Sequence, residues 1–94
     1  MIDFSEALFY LKDGYKIARE GWNGKGMWIC LVPGIDHACG DDVFGPQKPY
    51  AIKQGNAGIK VLPRIDMYTA KGEIQIGWLA SQSDLLAEDW CIVE

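Results

Sequence analysis

The 94-residue chain is predicted to be α+β. It is expected to hold a small, mostly antiparallel sheet with an N-terminal helix and a short C-terminal helix, in one domain over residues 1–94. Three observations lead there. An apolar stripe at helical spacing opens the sequence, strand-like runs separated by turn signals fill its middle, and a capped polar segment precedes a last apolar run.

The first element is the helix in DFSEALFYLKDG. Asp3 is placed to cap it, Glu6 stands at capping-box spacing, and Phe4, Ala7, Leu8 and Leu11 fall at i, i+3, i+4 and i+7. Gly14 is the expected stop. Tyr15 to Arg19 reads as a brief strand with Tyr15 and Ile17 on one side. Asn23-Gly24 signals a turn, since both residues tolerate positive φ. MWICLV, residues 27–32, is all apolar and suits a strand buried on both faces, which makes Trp28 a core residue.

From Pro33 to about Lys60 the sequence has no period, apart from a short strand expected around Tyr50 to Lys53. A loop of that length is functional or mobile as a rule. VLPRIDMYTAKGEIQIGWLA reads as a hairpin. Val61, Ile65 and Met67 alternate along its first strand and Ile74, Ile76 and Trp78 more cleanly along its second, with the turn at Ala70-Lys71-Gly72. Pro63 removes a ladder donor and places the start of the first strand at an edge. Ser81, with Asp84 three residues on, caps a helical turn through Leu86, and DWCIV ends the chain as a strand around a structural Trp90.

Composition narrows the function. A formal charge of −4 argues against duplex nucleic acid, which needs a basic face, but not against one small anionic ligand. Hydrophobic residues make up 49% of the chain and include four tryptophans, more apolar bulk than so thin a core absorbs. Some of it is expected to be covered by another subunit or a ligand. Cys30, Cys39 and Cys91 have no paired spacing and are expected to be reduced thiols. The acidic opening Met1-Ile2-Asp3 does not resemble a secretory leader, and no apolar run reaches the length of a membrane span. The expectation is a soluble intracellular protein.

No catalytic motif stands out. His37 and Cys39 are two residues apart in an irregular stretch with no orienting third group. His37, Cys39, Asp41 and Asp42 offer metal-ligating atoms, but structural zinc sites bring two pairs from separate turns, so a solvated acidic loop is preferred and no metal or cofactor is expected. The chemistry lies instead in REGWNGKGMW, residues 19–28. Glycines on both sides of Lys25 let the backbone approach a bound group and turn its N–H groups inward. Lys25 supplies a point charge for phosphate, Trp22 a stacking face, and Asn23 a donor and acceptor for a ribose hydroxyl or base edge. The alternative is a hairpin tip beside a core tryptophan. Trp78 is ambiguous in the same way. It alternates with two isoleucines, yet precedes the polar LASQSD, where Ser81, Gln82 and helix N–H groups could hold an anionic or hydroxyl-rich ligand. A domain this small can hardly enclose a dinucleotide-sized molecule alone, so such a site would be shared between protomers.

AREGWNGKGMW, LPRIDMYTAKG and GWLASQSDLLAEDWCIVE, in that order and spacing, resemble the phage-encoded Thoeris anti-defence type-two family. The resemblance covers most of the chain, with Pro33 to Lys60 the poorly matched part. It implies a molecular sponge that binds a cyclic ADP-ribose-derived immune signal without cleaving it, in the cytoplasm of the infected bacterial host. It also implies a homotetramer with pockets between subunits and, in some relatives, a separate place for cyclic oligonucleotides. Carried over by position, the ligand residues are Trp22, Asn23 and Lys25, then Trp78, Ser81, Gln82 and Asp84, with Arg19 or Lys25 near the phosphates. Arg64 and Tyr68 depart from the family pattern and leave the exact signal open. An enzyme that hydrolyses a cyclic nucleotide and a phage structural or host-protein-binding module are the competing readings.

Overall fold

The computed structural model describes residues 1–94. In chain order the elements are α1 (Phe4–Lys12), β1 (Ile17–Arg19), β2 (Trp28–Val32), β3 (Ile35–Ala38), α2 (Lys48–Lys53), β4 (Ile59–Val61), β5 (Arg64–Tyr68), β6 (Ile74–Gln75), α3 (Gln82–Leu86) and β7 (Trp90–Ile92). The class is α+β, and every strand pairing is antiparallel. The chain forms two compact units, one from Met1–Val32 with Arg64–Glu94 and one from Pro33–Pro63.

In the first unit, the Asp3 carboxylate accepts the Glu6 N–H at 2.9 Å and starts α1. The predicted stripe points inward: Ala7 and Leu11 are fully buried, with Phe4 and Leu8 packed beside them. The sheet order is β6-β5-β2-β1-β7. Register puts Ile17, Ile29 and Met67 in one row, and Leu31 opposite Ile65. These residues share a core cluster with Ala7, Leu11 and Trp90, which confirms Trp90 as structural.

The opposite sheet face corrects the reading of MWICLV. Trp28 pairs with Tyr68, Cys30 with Asp66 and Val32 with Arg64. Trp28, Cys30 and Val32 are half-buried, and none of them joins the core cluster. Residues of a strand alternate between faces, so Ile29 facing inward sends Trp28 the other way. Trp28 is therefore not core. Its ring stacks on Tyr68 with centroids 5.0 Å apart and planes 6° from parallel, and Lys16 Nζ sits 4.7 Å from its centroid.

Three further expectations change. Tyr15 precedes β1 and is exposed, because the turn after α1 ends with its N–H on the Tyr10 carbonyl at 3.0 Å. The hairpin is shorter than predicted: Val61 belongs to β4, Pro63 lies between β4 and β5, and β5 is an interior strand flanked by β2 and β6. The alternation of Ile74, Ile76 and Trp78 breaks at Gly77, which has φ +82°. Ile74 pairs with Tyr68 on the face away from the core. The left-handed Gly77 reverses the phase, and Trp78 packs against the core cluster. The turn around Lys71 is as predicted, closed by the Gly72 N–H on the Thr69 carbonyl at 3.0 Å.

The second unit occupies most of the stretch that read as loop. β3 and β4 pair, and Ala38, Val43 and Ala51 form a small core with Val61 beside it. The predicted strand at Tyr50 to Lys53 is the helix α2, with Pro49 in its first turn, where a missing N–H costs nothing. Elements of three to six residues are too short to display a period, so the sequence hid them.

Candidate functional site

The site is built where β1 ends. Beyond Arg19 the chain turns away from the sheet, and residues 19–22 are held from the side by α3 and the start of β7. Arg19 Nε donates to Asp89 Oδ1 at 2.8 Å, and Nη1 donates to Asp84 Oδ1 at 2.9 Å. The Gly21 N–H donates to Asp89 Oδ2 at 2.7 Å, and Trp22 Nε1 to Asp84 Oδ1 at 3.1 Å. The Arg19 and Asp84 side chains are only 18% and 13% exposed, so these are charge-assisted bonds in a partly dry setting.

Asp84 has a second task. Its N–H donates to Ser81 Oγ at 3.1 Å while its Oδ2 accepts the Ser81 N–H at 3.3 Å, the reciprocal cap predicted for α3. Its carbonyl accepts Trp90 Nε1 at 2.9 Å. Burial alone would push the Asp84 carboxyl up, but the bonds from Arg19, Trp22 and Ser81 outweigh it and hold the group below the usual carboxylate range. Asp89 is lowered chiefly by its bond from Arg19, and Arg19 is raised by the two carboxylates.

Three indoles pack beside this network. Trp22 meets Trp90 at 5.4 Å and 81°, Trp78 meets Trp90 at 6.2 Å and 85°, and Trp22 meets Trp78 at 6.5 Å and 67°. These near-perpendicular pairs set the edge of one ring against the face of another. Trp90 is fully buried, whereas Trp22 and Trp78 are half-buried.

Trp22 also borders a cavity of about 410 Å³. Arg19, Trp22, Asn23, Lys25, Met27 and Trp28 contribute to its wall. Of the positions singled out in the sequence, the structure thus gathers Arg19, Trp22, Asn23 and Lys25 around one space. Trp78, Ser81, Gln82 and Asp84 do not line it. Trp78 joins the indole cluster, Ser81 and Asp84 cap α3, and Gln82 is exposed at the start of that helix. Asp84 nevertheless reaches the cavity wall through its bonds to Arg19 and Trp22.

The loop geometry differs from the turn expected at Asn23-Gly24: the left-handed residue is Gly26, at φ +79°. Lys25 is exposed and takes part in no ion pair, so its charge faces solvent at the cavity. Two wall or support residues escaped the sequence reading. Trp28 escaped because every residue of MWICLV is apolar, so the sequence did not show which of its two faces is inward. Asp89 carried no local signal, because its partner Arg19 is 70 positions away.

Elsewhere, Asp42 Oδ2 accepts the Cys39 N–H at 2.9 Å, and His37 Nδ1 lies 3.1 Å from the Ala57 carbonyl. No three His, Cys, Asp or Glu side chains come together as metal ligands. Arg64 Nε pairs with the buried Asp66 at 3.0 Å. No helix is long and apolar enough to cross a membrane.

Residues 2–93 match the model of the Thoeris anti-defense 2-like domain. The chain is also 39% identical over 92 residues to Thoeris anti-defense 2 of Bacillus phage SP01, a stretch that spans 98% of this chain and 94% of that protein.

Proposed function

Because the chain belongs to the Thoeris anti-defense 2-like family, whose role is counter-defence against Thoeris, we propose that it works by sequestering the immune signal. The ligand is a cyclic ADP-ribose-type nucleotide, held intact in the cytoplasm of the infected bacterium. The observation that carries this reading is the cavity at the Gly-Lys-Gly loop. Its volume, about 410 Å³, falls within the roughly 300–1,000 Å³ usual for small-molecule sites. Its wall combines two indoles, an amide and an unpaired ammonium group, the features needed for a base, a ribose and a phosphate.

Binding without cleavage is supported by the state of the nearby carboxylates. Asp84 and Asp89 are ionised, pulled below the usual range, and hydrogen-bonded toward Arg19 and the backbone. A general acid or base near neutral pH needs the opposite shift. Trp78, Ser81 and Gln82 form a second ligand-contacting edge in this reading, completed by further copies of the chain in a homotetramer. Large apolar side chains flanking that edge favour assembly: Leu79 is 93% exposed and Leu86 79%.

The test is a depletion assay. The protein is mixed with cyclic ADP-ribose isomers and, separately, a cyclic dinucleotide. Free ligand is measured, the protein is denatured, and the supernatant is assayed. Stoichiometric depletion with recovery of unaltered cyclic ADP-ribose isomer supports sequestration. Altered product would make the protein an enzyme, and no depletion would favour a structural or host-protein-binding module.

A further inference from the structure

Gly21 and Trp22, the two residues that lead into the Lys25 loop, are gripped from opposite ends of one guanidinium. Asp89 holds Arg19 Nε with one oxygen and the Gly21 N–H with the other, at 2.8 and 2.7 Å. Asp84 holds Arg19 Nη1 and the Trp22 indole N–H with one oxygen, at 2.9 and 3.1 Å. The bonds run from Gly21 through Asp89, Arg19 and Asp84 to Trp22 and close on themselves through the chain. Gly21 suits this position because a Cβ there would lie 2.6 Å from Asp89 Oδ2.

We propose that Asp89, acting with Arg19 and Asp84, is a positioning residue for ligand capture that fixes the entry to the Lys25 loop without touching the ligand. The inference rests on the sequestration reading above. Each Asp89 oxygen accepts a bond from within the chain, one from Arg19 and one from Gly21, so the side chain acts through what it holds. Arg19 lines the cavity, but two carboxylates offset its charge. The attraction for a phosphate therefore falls to Lys25, and Lys25 is useful only while the loop that bears it is held at the cavity. Apparent affinity scales with the fraction of molecules in the competent arrangement. A loop correctly held in one molecule of ten binds about tenfold more weakly.

The experiment titrates the cyclic ADP-ribose isomer that wild-type protein binds most tightly into Asp89→Ala, Lys25→Ala and the double variant, by calorimetry. Amide exchange is followed in parallel without ligand. Asp89→Ala is expected to weaken binding about tenfold or more, and by a smaller factor when Lys25 is already Ala, because the two act in part through one loop. Amide exchange is expected to quicken at residues 22–26 and to stay unchanged in β2 and β5, a localisation that general destabilisation would not produce. Gly21→Ala, which attacks the same bond from its other end, is expected to repeat the pattern and serves if Asp89→Ala does not fold. Asp89→Asn, which keeps one acceptor oxygen, is expected to recover part of the affinity. Wild-type affinity in both Asp89→Ala and Gly21→Ala, or an equal loss with and without Lys25, overturns the proposal. Failure of the wild type to bind any isomer overturns the sequestration reading, and this inference with it.

Discussion

Replacing Gly24 with Ala probes how the cavity loop is seated. Gly24 is not in the left-handed region, so the substitution adds a methyl group without backbone strain. That methyl group would lie 2.6 Å from Ala70 Cβ and 2.7 Å from Met27 Sδ, over an ångström inside normal contact. The thioether can swing aside, but Ala70 Cβ is fixed to the backbone of the β5–β6 turn. Forcing such an overlap costs about 1–3 kcal/mol. At 4–8 °C per kcal/mol for a domain of this size, the melting temperature should fall by roughly 4–24 °C. Trp22, Trp28, Trp78 and Trp90 all lie in the first unit, so tryptophan fluorescence reports its unfolding specifically. Adding Ala70→Gly removes the obstacle and should return at least about 1 kcal/mol of the loss, beyond what Ala70→Gly does alone. Unchanged stability in Gly24→Ala would refute the reasoning. Rescue by Met27→Ala but not by Ala70→Gly would show that the thioether is the obstacle.

Lys25→Ala should leave the melting temperature within about 0.5 kcal/mol equivalent of wild type while weakening ligand uptake measurably without removing it; a parallel loss of stability would count against a purely ligand-directed role. Gly77→Ala meets no nearby atom but must hold φ +82°, at a cost of about 1–2 kcal/mol, and should weaken the near-ultraviolet circular dichroism of the indole cluster as Trp78 shifts. An unaltered spectrum would show that Gly77 does not set the position of Trp78. Asp84 and Asp89 have lowered folded-state values, so their contribution is present above the unfolded value near 3.9 and is lost as pH falls below it. Urea midpoints should drop from pH 5 to pH 3, and Asp84→Asn should flatten that drop; an equally steep profile would reject the linkage. Tyr68→Leu removes the partner stacked on Trp28 and should cost about 0.5–1.5 kcal/mol beyond lost area, measured by urea unfolding.

The parts of the fold legible in the sequence are those whose signals lie within a few residues of one another. Asp3 with Glu6, and Ser81 with Asp84, are three positions apart; both caps form, but only Ser81 and Asp84 make the reciprocal box, since the Glu6 side chain does not return to the Asp3 N–H. The stripe from Phe4 to Leu11 needs only the helical repeat, and the strand at Trp28–Val32 only its apolar run. One wall of the cavity was legible to the same depth, while Trp78, Ser81, Gln82 and Asp84 lie outside its lining. Trp22, Asn23 and Lys25 are neighbours in sequence and share the cavity wall. The Pro33–Pro63 unit was not legible, because its short elements gain their stability from one another rather than from any period of their own.

The sequence by itself thus determined the α+β class, the capped helices, the central strands and the residue types that the Lys25 loop brings to the cavity, since local backbone preference and side-chain type are properties of short segments. Only the tertiary structure decided that Gly77 turns Trp78 toward the core, that Trp28 faces away from it, and that Asp84 and Asp89 share Arg19 across 65 and 70 positions. Those outcomes depend on which distant groups meet once the sheet closes. A hydrogen bond between them draws its strength from the partial burial that closure creates.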